Sequence, residues 1–217
     1  MNAAYRPEQV IPIEIAEAIA GIPSWFVIGG QAVRCFSPYR PSRDVDFGVE
    51  HPDTIQTLIA QLKATGEVQI LQQDQDTVHL RWNGLDVSIF HLPSLVPFVQ
   101  ENRLTTTGIL ATKLHAILDR GTRRDFFDLY VTMQQQQLGV GECLRAMQEV
   151  YGGHVNNGLL LRALCYFEDA DREATLPNEG ANDWKTVKDF LARRVGDLLI
   201  PPNRKLKIQS IIVDARP

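Results

Sequence analysis

The spacing of apolar residues changes character along the chain. Within residues 12–20, Ile13, Ala16, Ile19 and Ala20 recur at helical intervals. Pro12 suits a first turn and Gly21 a helix end, so a short helix is predicted there. Residues 25–28 form an unbroken apolar run, read as a strand, that ends in Gly29-Gly30. A helix is expected over 31–36, then a loop, because Pro38 and Pro41 interrupt any helix. Residues 44–49 read as a second strand. Ile55, Leu58, Ile59 and Leu62 repeat at helical spacing and predict a helix over 54–64, with Asp53 as its N-cap.

The period then shortens. Residues 68–71 are strand-like, and Val78, Leu80 and Trp82 alternate with His79 and Arg81. Asn83-Gly84 signals a two-residue hairpin turn. In the returning strand, 85–90, Leu85, Val87 and Ile89 share one face and Asp86, Ser88 and Phe90 the other. From Pro93 onward the pattern is helical. Leu110, Leu114, Ile117 and Leu118 make a stripe between Thr107 and Asp119, and Phe126, Phe127, Tyr130 and Met133 point inward from a helix over 124–133. Further helices are predicted over 142–151, 158–169 and 183–199, the last stopped by Pro201-Pro202. The expected class is α+β: a mixed core over 1–92 with a small mixed sheet, then a helical region over 93–217.

Composition narrows this picture. With 217 residues, 44% hydrophobic and 22% charged, the chain can bury a sizeable core. A net charge of −4 excludes a globally basic nucleic-acid-binding protein, so any basic surface is local, the tail segment Arg204-Lys205-Leu206-Lys207 being one instance. Cys35, Cys143 and Cys165 are odd in number and far apart, which excludes a disulfide framework or a zinc spacing. Cys35 and Cys165 sit among apolar residues and are expected to be buried thiols. No signal-peptide pattern and no membrane-length apolar run is visible, so a cytoplasmic location with no membrane partner is expected.

The chemistry concentrates around the two glycines and the second strand. Alternate strand residues face one side, so Asp44 and Asp46 point together while Val45 and Phe47 face the core. Two adjacent carboxylates repel, and a hard divalent cation relieves both the repulsion and the cost of burial. Mg²⁺ is commonly held by one or two carboxylates plus substrate phosphates. Gly29 and Gly30 lack Cβ atoms, so their N–H groups can approach a phosphate at a helix start. Either feature alone is ordinary, a tight turn or a solvated strand end. Their order, strand, Gly-Gly, helix, Asp-x-Asp strand, points to metal-dependent phosphoryl or nucleotidyl transfer. Asp86 is the candidate third carboxylate. Lys113 lies off the apolar stripe and is expected to be solvent-accessible. Asp125 and Asp128, three apart, share a helix face, and Arg124 can reach Asp128.

Gly29-Gly30, Ser42-Arg43-Asp44-Val45-Asp46, Lys113-Leu114-His115-Ala116 and Arg123-Arg124-Asp125-Phe126-Phe127-Asp128-Leu129-Tyr130 together resemble the AbiEii/AbiGii nucleotidyltransferase toxin family, within the DNA polymerase β-like nucleotidyltransferase superfamily. The resemblance runs from about Trp25 to Tyr130. It implies a polymerase β-like core followed by helices, with Mg²⁺ or Mn²⁺ held by Asp44, Asp46 and Asp86. It implies that Gly29, Gly30, Ser42, Arg43 and Lys113 bind a nucleoside triphosphate, and that Asp125 and Asp128 line the site from the helical side. Arg43 suits either phosphate contact or a structural pair with an aspartate. Asp125 and Asp128 equally suit structural pairs with Arg123 and Arg124. Many superfamily members carry Gly-Ser where this chain has Gly29-Gly30, which removes one hydroxyl contact. The resemblance further implies a toxin paired with a cognate antitoxin and an RNA acceptor such as tRNA. The alternatives are transfer to a small molecule or a protein, or a silent module that binds nucleotide or a partner.

Overall fold

The computed structural model describes residues 5–42, 44–152 and 155–200. Pro12 precedes α1 (Ile13–Ala18), which leads into β1 (Trp25–Val27). Ile28 then caps α2 (Gly29–Arg34), and the chain returns as β2 (Val45–Val49). α3 (Pro52–Thr65) is followed by three consecutive antiparallel strands, β3 (Val68–Gln73), β4 (Thr77–Trp82) and β5 (Leu85–His91). Next comes a 3-10 segment, Pro93–Phe98, then a small hairpin of β6 (Val99–Gln100) and β7 (Arg103–Leu104). The remainder is helical: α4 (Thr106–Asp119), α5 (Arg123–Gln136), α6 (Val140–Tyr151), α7 (Asn157–Ala163), α8 (Glu168–Asp171) and α9 (Asp183–Leu199).

Among the described residues the strands form one mixed sheet in the order β3-β4-β5-β2-β1-β7-β6. β2 pairs antiparallel with β1 and parallel with β5, in the register Val45↔Val87, Asp46↔Ser88 and Phe47↔Ile89. That register sorts the side chains. Val45, Phe47, Val87, Ile89, Val78, Leu80 and Trp82 are buried on one face. α3 covers this face, where the Trp82 indole donates to the Leu62 carbonyl at 2.9 Å. Asp46, Ser88, His79, Asp86 and Arg81 occupy the other face, as the alternation in the sequence requires.

Several expectations shift. α3 is capped by His51, with Asp53 inside the first turn. Ile13 and Leu118 are exposed, and so is Cys165, while Cys35 and Cys143 are buried. The helix expected over 158–169 breaks into α7 and α8. The helical region, expected from residue 93, starts at Thr106, because the β6–β7 hairpin first adds two strands beside β1. Its turn residues, Glu101 and Asn102, have φ of 51° and 59° without any glycine, so the usual hairpin signal is missing. The apolar core is continuous from the sheet into the helices. Pro201, Pro202 and the basic tail lie outside the described residues.

Gly48 is where the sheet is most tightly fitted. It pairs with Phe26, and a Cβ at Gly48 would sit 2.3 Å from the Phe26 ring. The ring is in the core and has no room to move aside. Gly48→Ala is therefore expected to destabilise the fold by about 1–3 kcal/mol through overpacking, read as a lower midpoint in urea denaturation.

Candidate active site

The polar face of the sheet, the start of α2 and the facing sides of α4 and α5 enclose a cavity of about 710 Å³. Gly29, Gly30, Ser42, Asp44, Asp46, Asp86, Lys113 and Asp125 all line it. Residues from the sheet and from the helical region, far apart in sequence, therefore share one space. Arg43 lies outside the described residues.

Asp46 is at the centre. Its backbone carbonyl accepts from the Ile28 N–H at 2.9 Å, which ties the start of α2 to β2. Gly29 has φ of 60°, and a Cβ there would lie 2.4 Å from Asp46 Oδ2. Only glycine lets the chain pass so close to this carboxylate in that conformation. Burial pushes the Asp46 carboxyl above the usual aspartate range. The charge of Lys113 and a hydrogen bond from Ser88 oppose that rise, and neighbouring Asp44 adds to it. Asp44 sits one residue before the first paired residue of β2 and is half exposed. The buried Gln31 side chain holds the strand entry by donating to the Asp44 carbonyl at 3.1 Å and to the Ser42 carbonyl at 3.4 Å. The Ser42 hydroxyl donates to the Asp44 carbonyl at 3.4 Å.

Asp86 stands at the matching place on β5, one residue before Val87, so the register puts it on the strand beside Asp44. Its carboxylate turns toward β4 and accepts from Arg81 Nε at 2.8 Å. Asp44 turns the other way, its Oδ2 lying 3.6 Å from a guanidinium nitrogen of Arg124 on α5. Among the described residues no three His, Cys, Asp or Glu side chains converge as metal ligands. Asp44 and Asp46 alone remain a fitting donor pair for Mg²⁺ or Mn²⁺: one carboxylate is half exposed, the other is buried with a raised proton affinity, and both face the same open cavity.

The helical wall is held by charge. Lys113 is buried rather than solvent-accessible, with its ammonium 2.7 Å from Asp128 Oδ2 and 3.4 Å from Asp125 Oδ1. Asp128 also accepts from the Tyr39 hydroxyl at 2.5 Å and from Arg40 at 2.8 and 3.1 Å. Asp125 takes two hydrogen bonds from Arg120, at 2.9 and 3.1 Å, and one from the Thr122 hydroxyl at 2.5 Å. Burial alone would raise Asp125, but the hydrogen bond from Arg120, the charge of Lys113 and the bond from Thr122 outweigh it and hold its pKa at about 2. Asp128, expected to line the site, is not among the residues lining the cavity; Tyr39, Arg40 and Lys113 take both its oxygens, and it anchors the Tyr39-Arg40 loop. Neither acid pairs with Arg123 or Arg124: Arg123 reaches Glu179 at 2.5 Å and Arg124 reaches Asp44.

Tyr39, Arg40, Gln31, Ser88 and Arg120 were not singled out from the sequence. Arg40 carried the clearest signal, a cation in a proline-bounded loop just ahead of the Asp-x-Asp strand. Ser88 carried only its place on the Asp86 face of its strand, and Gln31 carried none, since its importance depends on which backbone lies beside it.

Residues 102–202 match the family model described as nucleotidyl transferase AbiEii toxin, Type IV TA system. The match spans α4 to α9 and includes Lys113, Asp125 and Asp128, whereas Asp44 and Asp46 precede it. The uncharacterized protein aq_aa25 of Aquifex aeolicus (strain VF5) is 26% identical over 203 residues, 89% of this chain and 97% of that protein. Two crystal structures from Helicobacter pylori share the fold at 17% identity. JHP933 has a TM-score of 0.54 and covers 94% of both chains. A protein described as a candidate nucleotidyltransferase has a TM-score of 0.51, over 88% of this chain and 96% of its own. No helix among the described residues is long and apolar enough to cross a membrane. Residues 102–202 are thus similar to the AbiEii nucleotidyl transferase toxins, and the chain as a whole shares its fold with the two Helicobacter pylori proteins.

Proposed function

We propose that the chain transfers a nucleotide from a nucleoside triphosphate to an acceptor hydroxyl, using Mg²⁺ or Mn²⁺ held by Asp44 and Asp46, and that it acts as a toxin on RNA such as tRNA under the control of a cognate antitoxin. The observation that carries the reading is the buried, elevated carboxyl of Asp46 beside Asp44 on the wall of the 710 Å³ cavity. A lone buried acid there would be a cost without return. A divalent ion makes it favourable. The toxin role and the antitoxin draw on the family match over 102–202, while the RNA acceptor is only what the resemblance to that family implies.

In this reading the N–H groups at the start of α2, from Gly29 and Gly30, and the Ser42 hydroxyl hold triphosphate oxygens. Asp44 and Asp46 would hold the divalent ion, which would supply positive charge opposite the transferred nucleotidyl group and the departing pyrophosphate. The acceptor hydroxyl attacks the α-phosphorus, pyrophosphate leaves, and Asp86 at the cavity edge takes the hydroxyl proton. Lys113 acts mainly as a fixed charge behind the site. It favours ionised Asp46 and, with Asp125, sets the position of the helical wall.

Three outcomes test this. Asp46→Asn should abolish transfer while leaving stability equal or higher, because it removes a charge that burial disfavours; transferase activity in that variant would sink the mechanism. Binding of Mn²⁺ alone should weaken as pH falls, starting above the range of an ordinary aspartate, because the proton that competes at Asp46 binds more tightly than usual. Calorimetric titration at several pH values measures this. Lys113→Ala should cost stability as well as activity. Asp125 and Asp128 each keep an arginine, so the loss should be about 3 kcal/mol, the low end for breaking a buried pair.

A further inference from the structure

Two outer acids of the cavity are each paired with an arginine. Arg81 takes Asp86 from within the sheet, and Arg124 takes Asp44 from across the cavity. The second contact is the more informative. It links β2 to α5, it is long at 3.6 Å, and both side chains are about half exposed, at 47% and 48%. An exposed pair of this kind is weak and easily broken. The backbone under Arg124 is not loose, because its neighbour Asp125 is fixed by Arg120, Thr122 and Lys113. A mobile cation is thus mounted on a rigid base at the lip of the cavity.

We propose that Arg124 is a phosphate-binding residue that exchanges partners: it neutralises Asp44 and moves to the triphosphate once a divalent ion takes Asp44. This rests on the nucleotidyltransferase reading and deepens it. Charge balance supports the assignment. Lys113 and Arg40 are buried and committed to Asp125 and Asp128, and Arg120 is bonded twice to Asp125. Arg124 is a cation lining the cavity whose ion-pair partner is the very carboxylate that metal would claim. When the ion arrives, Asp44 no longer needs the guanidinium, and a half-exposed guanidinium suits two oxygens of a phosphate. Arg124 and metal therefore compete for Asp44, whereas Arg124 and nucleotide cooperate.

The opposed signs make the test. In Arg124→Gln, binding of Mn²⁺ alone should tighten, by about threefold, since an exposed ion pair no longer competes. Binding of a ribonucleoside triphosphate with Mn²⁺ should weaken by at least about tenfold, the loss of a charge-assisted hydrogen bond. Calorimetry with Mn²⁺ alone, and then with each of the four ribonucleoside triphosphates in Mn²⁺, reads both without requiring the acceptor. Arg124→Lys, which keeps the charge, should leave the Mn²⁺ affinity near that of the unaltered chain. If Arg124→Gln weakens both ligands, or changes neither, the exchange does not occur. If the unaltered chain binds Mn²⁺ and a triphosphate but Arg124→Gln lacks the opposed shifts, this proposal alone fails. If the unaltered chain binds neither, the nucleotidyltransferase reading fails with it.

Discussion

The cavity depends on the buried ion pairs among Arg40, Lys113, Asp125 and Asp128. Charges buried this deeply are tolerable only when each meets an opposite charge and fills its remaining hydrogen bonds. Lys113 meets both aspartates, Arg40 and Tyr39 complete Asp128, and Arg120 and Thr122 complete Asp125. The result is a cross-link between three parts of the chain: the loop ahead of β2, helix α4 and helix α5. Hydrophobic contact alone could let these slide. Directional, charge-assisted bonds set their spacing, and that spacing is the width of the cavity.

The site then divides into a rigid part and a responsive part. Asp46, Gly29, Gln31 and Ser88 are held by backbone pairing, close approach and hydrogen bonds, so the inner carboxylate is fixed from several sides. Asp44, Asp86, Arg81 and Arg124 are half exposed and joined by weak pairs. This division suits a site that must present a fixed carboxylate yet rearrange its rim around a large polyanion.

Much of the layout was legible in the sequence because short-range rules decide it. The alternation in residues 44–49 and 85–90 placed Asp44, Asp46 and Asp86 on one face and Val45, Phe47, Val87 and Ile89 on the other. The Asn83-Gly84 turn set the β4–β5 register, and the stripe of Leu110, Leu114 and Ile117 set the buried side of α4. The two acidic residues of α5 fell on one face because three-residue spacing requires it. The β6–β7 hairpin was hidden because Glu101 and Asn102 adopt positive φ without glycine, held by pairing with β1.

What tertiary structure alone decided was partner choice. Helical spacing allowed Arg124 to reach Asp128, but Arg40, 88 residues earlier, and Lys113 on the neighbouring helix occupy that carboxylate, leaving Arg124 to Asp44. Lys113 looked like an exposed lysine because it lies off its helix's apolar stripe. It is buried because α5 packs over that side with two acids. Periodicity in a sequence reports which face of an element a side chain occupies. It does not report what stands opposite that face, and for a charged group the element opposite determines whether the charge binds a ligand or holds the fold.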